Sequence, residues 1–358
     1  MPSKINKPYF PSIDGMRAIA IIIVVFDHAL HQYYRETTWI RFIPFGDMGV
    51  YLFFVISGFL ITTLLQHEQE QNNNVNLKKF YVRRILRIFP VAYLYIGCVI
   101  FISLFMSIGI TTINTVGALL YLRNIPIFKG DWFFAHFWSL SYEEQYYLWY
   151  PWCVKKLKKN LLNFLWLILG MILLVKTGLF YGWIRNSNWW SLIIGIDGIL
   201  IGAIGGVYYG KGTLINNLNN VSIFTISLIT LILSYILFNN ILGVNQKYMN
   251  KTIGAFLLLI FLIINLKAEN NVISLLLSTK PMVHIGMLSY SIYIWQQIFT
   301  APDNDMMLTT YGNNISPSFY NVMNYLRFPL NLGAIYLTAL LSYYGYEKYF
   351  LILKNKFN

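Results

Sequence analysis

Near the start of the chain an apolar stretch, "IDGMRAIAIIIVVFDHALHQ" (13–32), carries two residues suited to chemistry, Arg17 and His28. They are eleven residues apart, and at about 100° per residue that spacing returns to within about 20° of the same helix face, roughly 16 Å further along the axis. A guanidinium binds phosphate or carboxylate through forked hydrogen bonds, and a neutral imidazole takes a hydroxyl proton near pH 7. One face therefore offers an anion contact at one end and a general base at the other. Plainer roles compete: Arg17 as a snorkelling anchor at the membrane surface, and His28 as a buried structural histidine. Asp27 projects about 100° away from His28, which argues against a dyad. His31 lies one turn on, where it could meet an acceptor or solvent.

Four further groups qualify. In "FYVRRILRIFPVAYL" (80–94), Arg83 and Arg87 share a helix face at i,i+4 and Arg84 and Arg87 at i,i+3, a compact cluster that fits either a polyphosphate or the anchoring of a cytoplasmic helix end. "FWSLSYEEQYYLWYP" (137–151) places Glu143 and Glu144 among aromatics, where a carboxylate is costly unless it faces a cavity or pairs with an arginine such as Arg17. Its Ser139, Ser141, Tyr146 and Tyr147 suit helix packing, or a site in which a hydroxyl touches substrate. "GVYLFFVISGFLIT" (49–62) contains Ser57-Gly58, consistent with close helix packing or with an irregularity beside a substrate, and Asp197 is an isolated acid in the glycine-rich "IIGIDGILIGAIGGV" (193–207).

These residues need elements to hold them. Of the 358 residues, 57% are hydrophobic and 11% charged, which excludes an ordinary soluble domain. Repeated apolar stretches of about 20 residues match a hydrocarbon core of about 30 Å, so the expected fold is an all-α, polytopic transmembrane bundle forming one domain over 1–358. Ten spans are predicted: 15–34, 48–66, 88–108, 134–154, 161–180, 190–209, 221–241, 252–268, 282–301 and 328–347. With the N-terminus inside, 18 of the 27 basic residues fall on the cytoplasmic side and nine outside, which predicts cytoplasmic N- and C-termini. The nine are Arg35, Arg41, Arg123, Lys129, Lys176, Arg185, Lys247, Lys251 and Arg327. The net charge of +13 is then explained by anionic inner-leaflet lipid rather than nucleic acid. No cleavable signal peptide is evident, and Cys98 and Cys153 both fall inside spans, giving no disulfide framework. The segment 109–133 is too short to cross and is expected at the outer surface, and 302–327 is polar enough to lie in water.

The same stretches resemble the acyltransferase-3 family of membrane acyltransferases. Arg17 and His28 match its R-x10-H signature, 49–62 its G-V-x-x-F-F-x-x-S-G-F segment, 80–94 its basic R-R-x-x-R-I-x-P stretch, and 137–151 its W-S-L-S-x-E-E-Q-x-Y motif. "IGMLSYSIYIWQQ" (285–297) resembles G-x-x-S-Y-x-x-Y-L-W-H, with Gln296 where many members have histidine. The resemblance implies a bacterial inner-membrane O-acetyltransferase of the stand-alone form, similar to O-antigen and polysaccharide O-acetyltransferases. Acetyl-CoA would be the acyl-CoA donor at Arg83, Arg84 and Arg87, a surface glycan the acceptor, and no metal is implied. His28 is then the base, the family pattern favours Glu143 over Glu144, Arg17 completes the catalytic set, and Ser57, Ser141, Tyr147, His31 and Asp197 are candidates for the substrate cavity. The alternative is a proton-coupled transporter or flippase of a lipid-linked glycan or small solute, which predicts internal repeat symmetry that the sequence does not show.

Overall fold

The computed structural model describes residues 10–31, 46–211, 220–239, 247–267, 271–301 and 316–357, and among these the chain is helical with no strand. Lys4, Lys7, Arg35, Arg41, the ends of the predicted spans at 32–34 and 240–241, and much of the polar stretch 302–327 lie outside the described residues, as does the side chain of His31.

Helix α1 (Pro11–His31) starts on a proline, whose missing N–H is no loss in a first turn. It is followed by α2 (Gly46–Asn72) and α3 (Leu77–Phe105), the latter capped by Asn76, whose side chain accepts from the Lys79 N–H at 3.0 Å. The short α4 (Thr112–Leu119) lies in the segment read as too short to cross. Helices α5 (Phe137–Leu157) and α6 (Leu161–Phe180) would be one rod but for Lys158, whose φ of 45° breaks the right-handed path and opens a 3₁₀ turn. The short α7 (Ser191–Ile194) precedes α8 (Asp197–Gly210), α9 (Asn220–Phe238), α10 (Lys247–Lys267), α11 (Val272–Leu277) and α12 (Lys280–Phe299). Near the C-terminus come α13 (Pro317–Tyr325) and α14 (Leu330–Ser342), which runs through a π turn at Tyr343–Glu347 into α15 (Lys348–Lys354).

Among the described residues, five helical runs are long and apolar enough to cross a bilayer: Gly46–Asn72, Leu77–Phe105, Phe137–Phe180, Asn188–Gly210 and Tyr248–Leu266. Helices α1 and α12, of 21 and 20 residues, have the length but keep more polar side chains, and they pack against each other in the interior. Hydrophobic association supplies little drive between helices in lipid, so contact rests on close packing and buried hydrogen bonds. The sequence of α2 and α8 provides both. Gly58 lies so near α8 that a Cβ added there would sit 1.9 Å from the Ile199 carbonyl oxygen, and one at Gly202 would sit 2.1 Å from that of Val55. The Ser57-Gly58 pair and the glycine-rich helix thus serve backbone contact. At the crossing of α1 and α12, Gly286 meets the Asp14 carbonyl in the same way, at 1.8 Å.

Asp197 lies in this packing core. Its carboxylate is fully buried and accepts from Lys176 Nζ at 2.6 Å, from the Thr252 hydroxyl at 2.6 Å and from the Tyr51 hydroxyl at 3.2 Å. The isolated acid of the sequence is therefore half of an ion pair joining α2, α6, α8 and α10, the condition on which a buried charge is tolerated.

Replacing Gly58 by alanine forces α2 off α8 and should cost about 2–3 kcal/mol or more. Gly97→Ala, on α3 with nothing within 4 Å of the new Cβ, should be neutral or slightly stabilising. Thermal unfolding of the two variants in detergent, followed by monodispersity on size-exclusion chromatography, separates these outcomes.

Candidate active site

Five helices meet around a small interior cavity of about 110 Å³. Helix α1 supplies Arg17, α2 supplies Phe53, Phe54 and Ser57, α3 supplies Arg84 and Arg87, α5 supplies Ser139, Glu143 and Tyr147, and α12 supplies Ser289, Tyr290 and Tyr293. Helical periodicity puts each set on one face: 84 and 87, 139 and 143 and 147, and 289 and 293 are separated by three or four residues. The Ser57 and Tyr147 hydroxyls are hydrogen-bonded to each other, and both reach the Glu143 carboxylate. The Arg84 guanidinium lies over the Tyr147 ring at 4.4 Å, a cation–π contact. Arg17 pairs with Asp14 at 3.5 Å, and Arg87 lies close enough to Arg17 and Arg84 to be repelled by both. Three guanidiniums thus lie together, with Asp14 beside Arg17 and with Glu143 and Glu144 within reach of Arg84, and forked donors of this kind suit an anion.

Arg84 and Arg87 also line a second, wider hollow of about 610 Å³ at the far end of α2, with Lys79, Arg83, Glu68, His67 and Lys354 around it. Arg83 does not point inward: it pairs with Glu68 at 3.4 Å and donates to the Phe357 carbonyl at 2.9 Å. The arginine cluster therefore divides. Arg83 braces the groove, and Arg84 and Arg87 connect it to the interior.

His28 is not among the residues lining the interior cavity. It is half-buried at the opposite end of α1 from Arg17, its ring 5.8 Å from that of Trp132. His136, close enough to His28 to sense its charge, packs on Tyr293 at 5.6 Å, so two rings stand between His28 and the cavity. Asp27 reaches the start of α2, where its carboxylate fills the space a side chain on Gly46 would need. Glu143 faces the cavity and Glu144 is not among its lining residues. Ser141 anchors structure instead, donating to the Phe137 carbonyl at 2.8 Å and accepting from the Arg123 N–H at 3.0 Å. Tyr146 is fully buried and stacked on Tyr150 at 4.4 Å, a packing role, whereas Tyr147 lines the cavity. Asp197 and the fully buried Gln296 lie outside the lining.

Sequence reasoning passed over Tyr290, Tyr293 and Ser289, although "SYSIY" carries them at one-face spacing. It also missed the order in the segment after α4. There Arg123, 2% exposed, pairs with Asp131 at 2.8 Å, and its guanidinium donates to the carbonyls of Phe128, Asp131 and Phe134. Burial pushes the Asp131 carboxyl up from its ordinary range, and Arg123 pulls it back down. Trp132 and Gln297 exchange hydrogen bonds of 2.8 and 2.9 Å, and the Tyr95 hydroxyl donates to Phe133 at 2.7 Å, fastening this cap to α12 and α3.

Residues 10–346 match the family described as an acyltransferase domain. Among curated proteins the chain is 28% identical over 317 residues to "Peptidoglycan O-acetyltransferase OatA" of Listeria monocytogenes, covering 82% of this chain and 50% of that protein. It is 27% identical over 317 residues to "O-acetyltransferase OatA" of Staphylococcus aureus, covering 80% and 50%. The chain spans about half the length of these curated relatives. No solved structure matches it.

The cap yields a stability test. Arg123→Met strands Asp131 and three carbonyls, with an expected loss of about 3–5 kcal/mol. Arg123→Lys should recover little of it, because one ammonium cannot span a carboxylate and three carbonyls. Denaturation midpoints of the purified variants check both.

Proposed function

The chain belongs to the acyltransferase domain family, and from that premise we propose that it is a multi-pass O-acetyltransferase of the bacterial inner membrane. It moves an acetyl group from cytoplasmic acetyl-CoA to a hydroxyl of an extracytoplasmic glycan. In this proposal the bundle crosses the bilayer about ten times with both termini in the cytoplasm, which keeps 18 of 27 basic residues on that side. The groove with Arg83 is then the cytoplasmic mouth, and its size suits a nucleotide-bearing donor. O-antigen, capsule and exopolysaccharide are the acceptors suggested by the family resemblance, and peptidoglycan is the acceptor in the name of the Listeria relative.

The observation that carries the proposal is that Arg84 and Arg87 border both the groove and the interior cavity. Donor phosphates neutralise the guanidiniums at the mouth while the thioester reaches past them. The small cavity has room for a short acyl group, in keeping with acetyl as the group transferred. Glu143, with Ser57 and Tyr147, holds the polar wall beside the acyl carbonyl, and Arg17 offsets charge that develops on its oxygen. At the outer end, once the His136 and Tyr293 rings between it and the cavity move aside, His28 takes the proton of the acceptor hydroxyl; the new C–O bond forms as the C–S bond breaks, and coenzyme A leaves with its sulfur free to regain a proton.

Radiolabelled acetyl-CoA supplied to the cytoplasmic side of membrane vesicles tests this. Donor-dependent labelling of surface glycan is expected, reduced about 10²–10⁴-fold in His28→Ala at equal expression. Arg87→Ala should instead raise the donor KM, by roughly 10–100-fold, as loss of a charged hydrogen bond requires. Undiminished labelling in His28→Ala would remove that residue from the chemistry, and glycan movement without labelling would make the protein a transporter.

A further inference from the structure

At the opposite end of α2 from the arginine groove lies a third hollow, of about 400 Å³, that the proposed transfer does not use. Four cations line it, Arg123, Lys129, Lys176 and Lys251, together with the aromatic side chains of Tyr51, Trp138, Tyr142 and Tyr248. In the proposed topology this is the outer face, where positively charged residues are scarce because they hinder translocation. Only nine are assigned there, and four of them converge on one recess. Orientation in the membrane does not require that gathering.

Three of the four have carboxylate partners. Arg123 faces Asp131 at 2.8 Å, Lys176 faces Asp197 at 2.6 Å, and Lys251 faces Asp47 at 2.5 Å. Lys129 has none among the described residues, is exposed, and sits on the rim beside Gly130. The recess thus holds one uncompensated cation over a set of fixed ones. Rings provide flat apolar surface for the faces of a sugar, and the part-buried Ser191 adds a hydroxyl to the lining. Its floor is shared with the reaction cavity. Trp138 and Tyr142 face the recess, Ser139 and Glu143 of the same helix face the cavity, and Phe54 packs edge-on to Trp138 and Tyr142 at 6.1 and 6.2 Å. The loop that bears Lys129, Gly130 and Asp131 on the recess continues directly into Trp132, which packs on His28.

We propose that this recess is the acceptor site and that it takes an anionic saccharide, a carboxylated or phosphorylated sugar whose negative charge is met by Lys129 while its ring lies on the aromatic wall. This rests on the transferase reading for the word acceptor; the binding itself does not. The recess selects charge at one end of the sugar and presents the rest of it along the loop toward His28. A lipid headgroup shares the negative charge, but the aromatic wall suits a polyhydroxylated ring.

Binding of a hexuronic-acid oligosaccharide and of its uncharged methyl ester to the purified full chain, without donor, tests the proposal. The acid form should bind about tenfold or more tightly than the ester, weakening as salt rises from about 50 to 200 mM. Lys129→Glu should abolish the preference and Lys129→Arg retain it, both at wild-type elution volume. Equal affinity for acid and ester, or an unchanged preference in Lys129→Glu, overturns the assignment. So does complete displacement of the oligosaccharide by phosphatidylglycerol in nanodiscs, which would make the recess a lipid site. Charge-selective binding by a protein that transfers no acetyl group would leave this site standing and defeat the proposed function alone.

Discussion

A charge inside a low-permittivity bundle has to be met by an opposite charge, a polarisable ring or water, and this protein is arranged around that requirement. Arg17 has Asp14, Arg84 has the face of Tyr147, Lys176 has Asp197 and Arg123 has Asp131. Two of these also tie separate helices, Arg84 of α3 to Tyr147 of α5 and Lys176 of α6 to Asp197 of α8. The Lys176–Asp197 pair ties four helices, and the Arg123–Asp131 pair folds an irregular segment into a cap. Arg84 and Arg87 face two hollows, where an incoming polyanion would meet them.

Holding those charges in register demands rigid neighbours, and glycine supplies them. Because α2 meets α8 backbone to backbone, the position of Ser57 on the far side of α2 is set by main-chain contact rather than by flexible side chains. The same holds for Arg17, whose helix is pinned where Gly286 of α12 meets the Asp14 carbonyl. A site on such helices has less freedom to drift than one on loops.

Much of the cavity was legible in the sequence because helical periodicity converts spacing into facing. Arg17, Arg84, Arg87, Glu143, Ser57 and Tyr147 were all picked out as ionisable or small polar residues in apolar runs, and all border the same void. The axial offset of about 16 Å between Arg17 and His28 was equally legible, and it is the reason His28 packs against the cap and does not line the cavity. Periodicity says which residues share a face but not which helix that face meets, so Asp197 read as a lone acid when its partner waited on α6. Between α4 and α5 there is no periodicity to read. Arg123 and Asp131, eight residues apart in irregular chain, gave no sign of the network they form. The twenty-seven tyrosines made any one of them uninformative, which hid Tyr290 and Tyr293.

The wall formed by Phe54, Trp138 and Tyr142 separates two hollows that share no lining residue. Recesses that approach each other from opposite ends of a membrane bundle threaten its electrical insulation, since a continuous file of water would conduct protons and drain the gradient the membrane stores. Three interlocked rings, apolar at the point of closest approach, interrupt that file, so polar groups can sit deep in the bundle while the bilayer stays sealed.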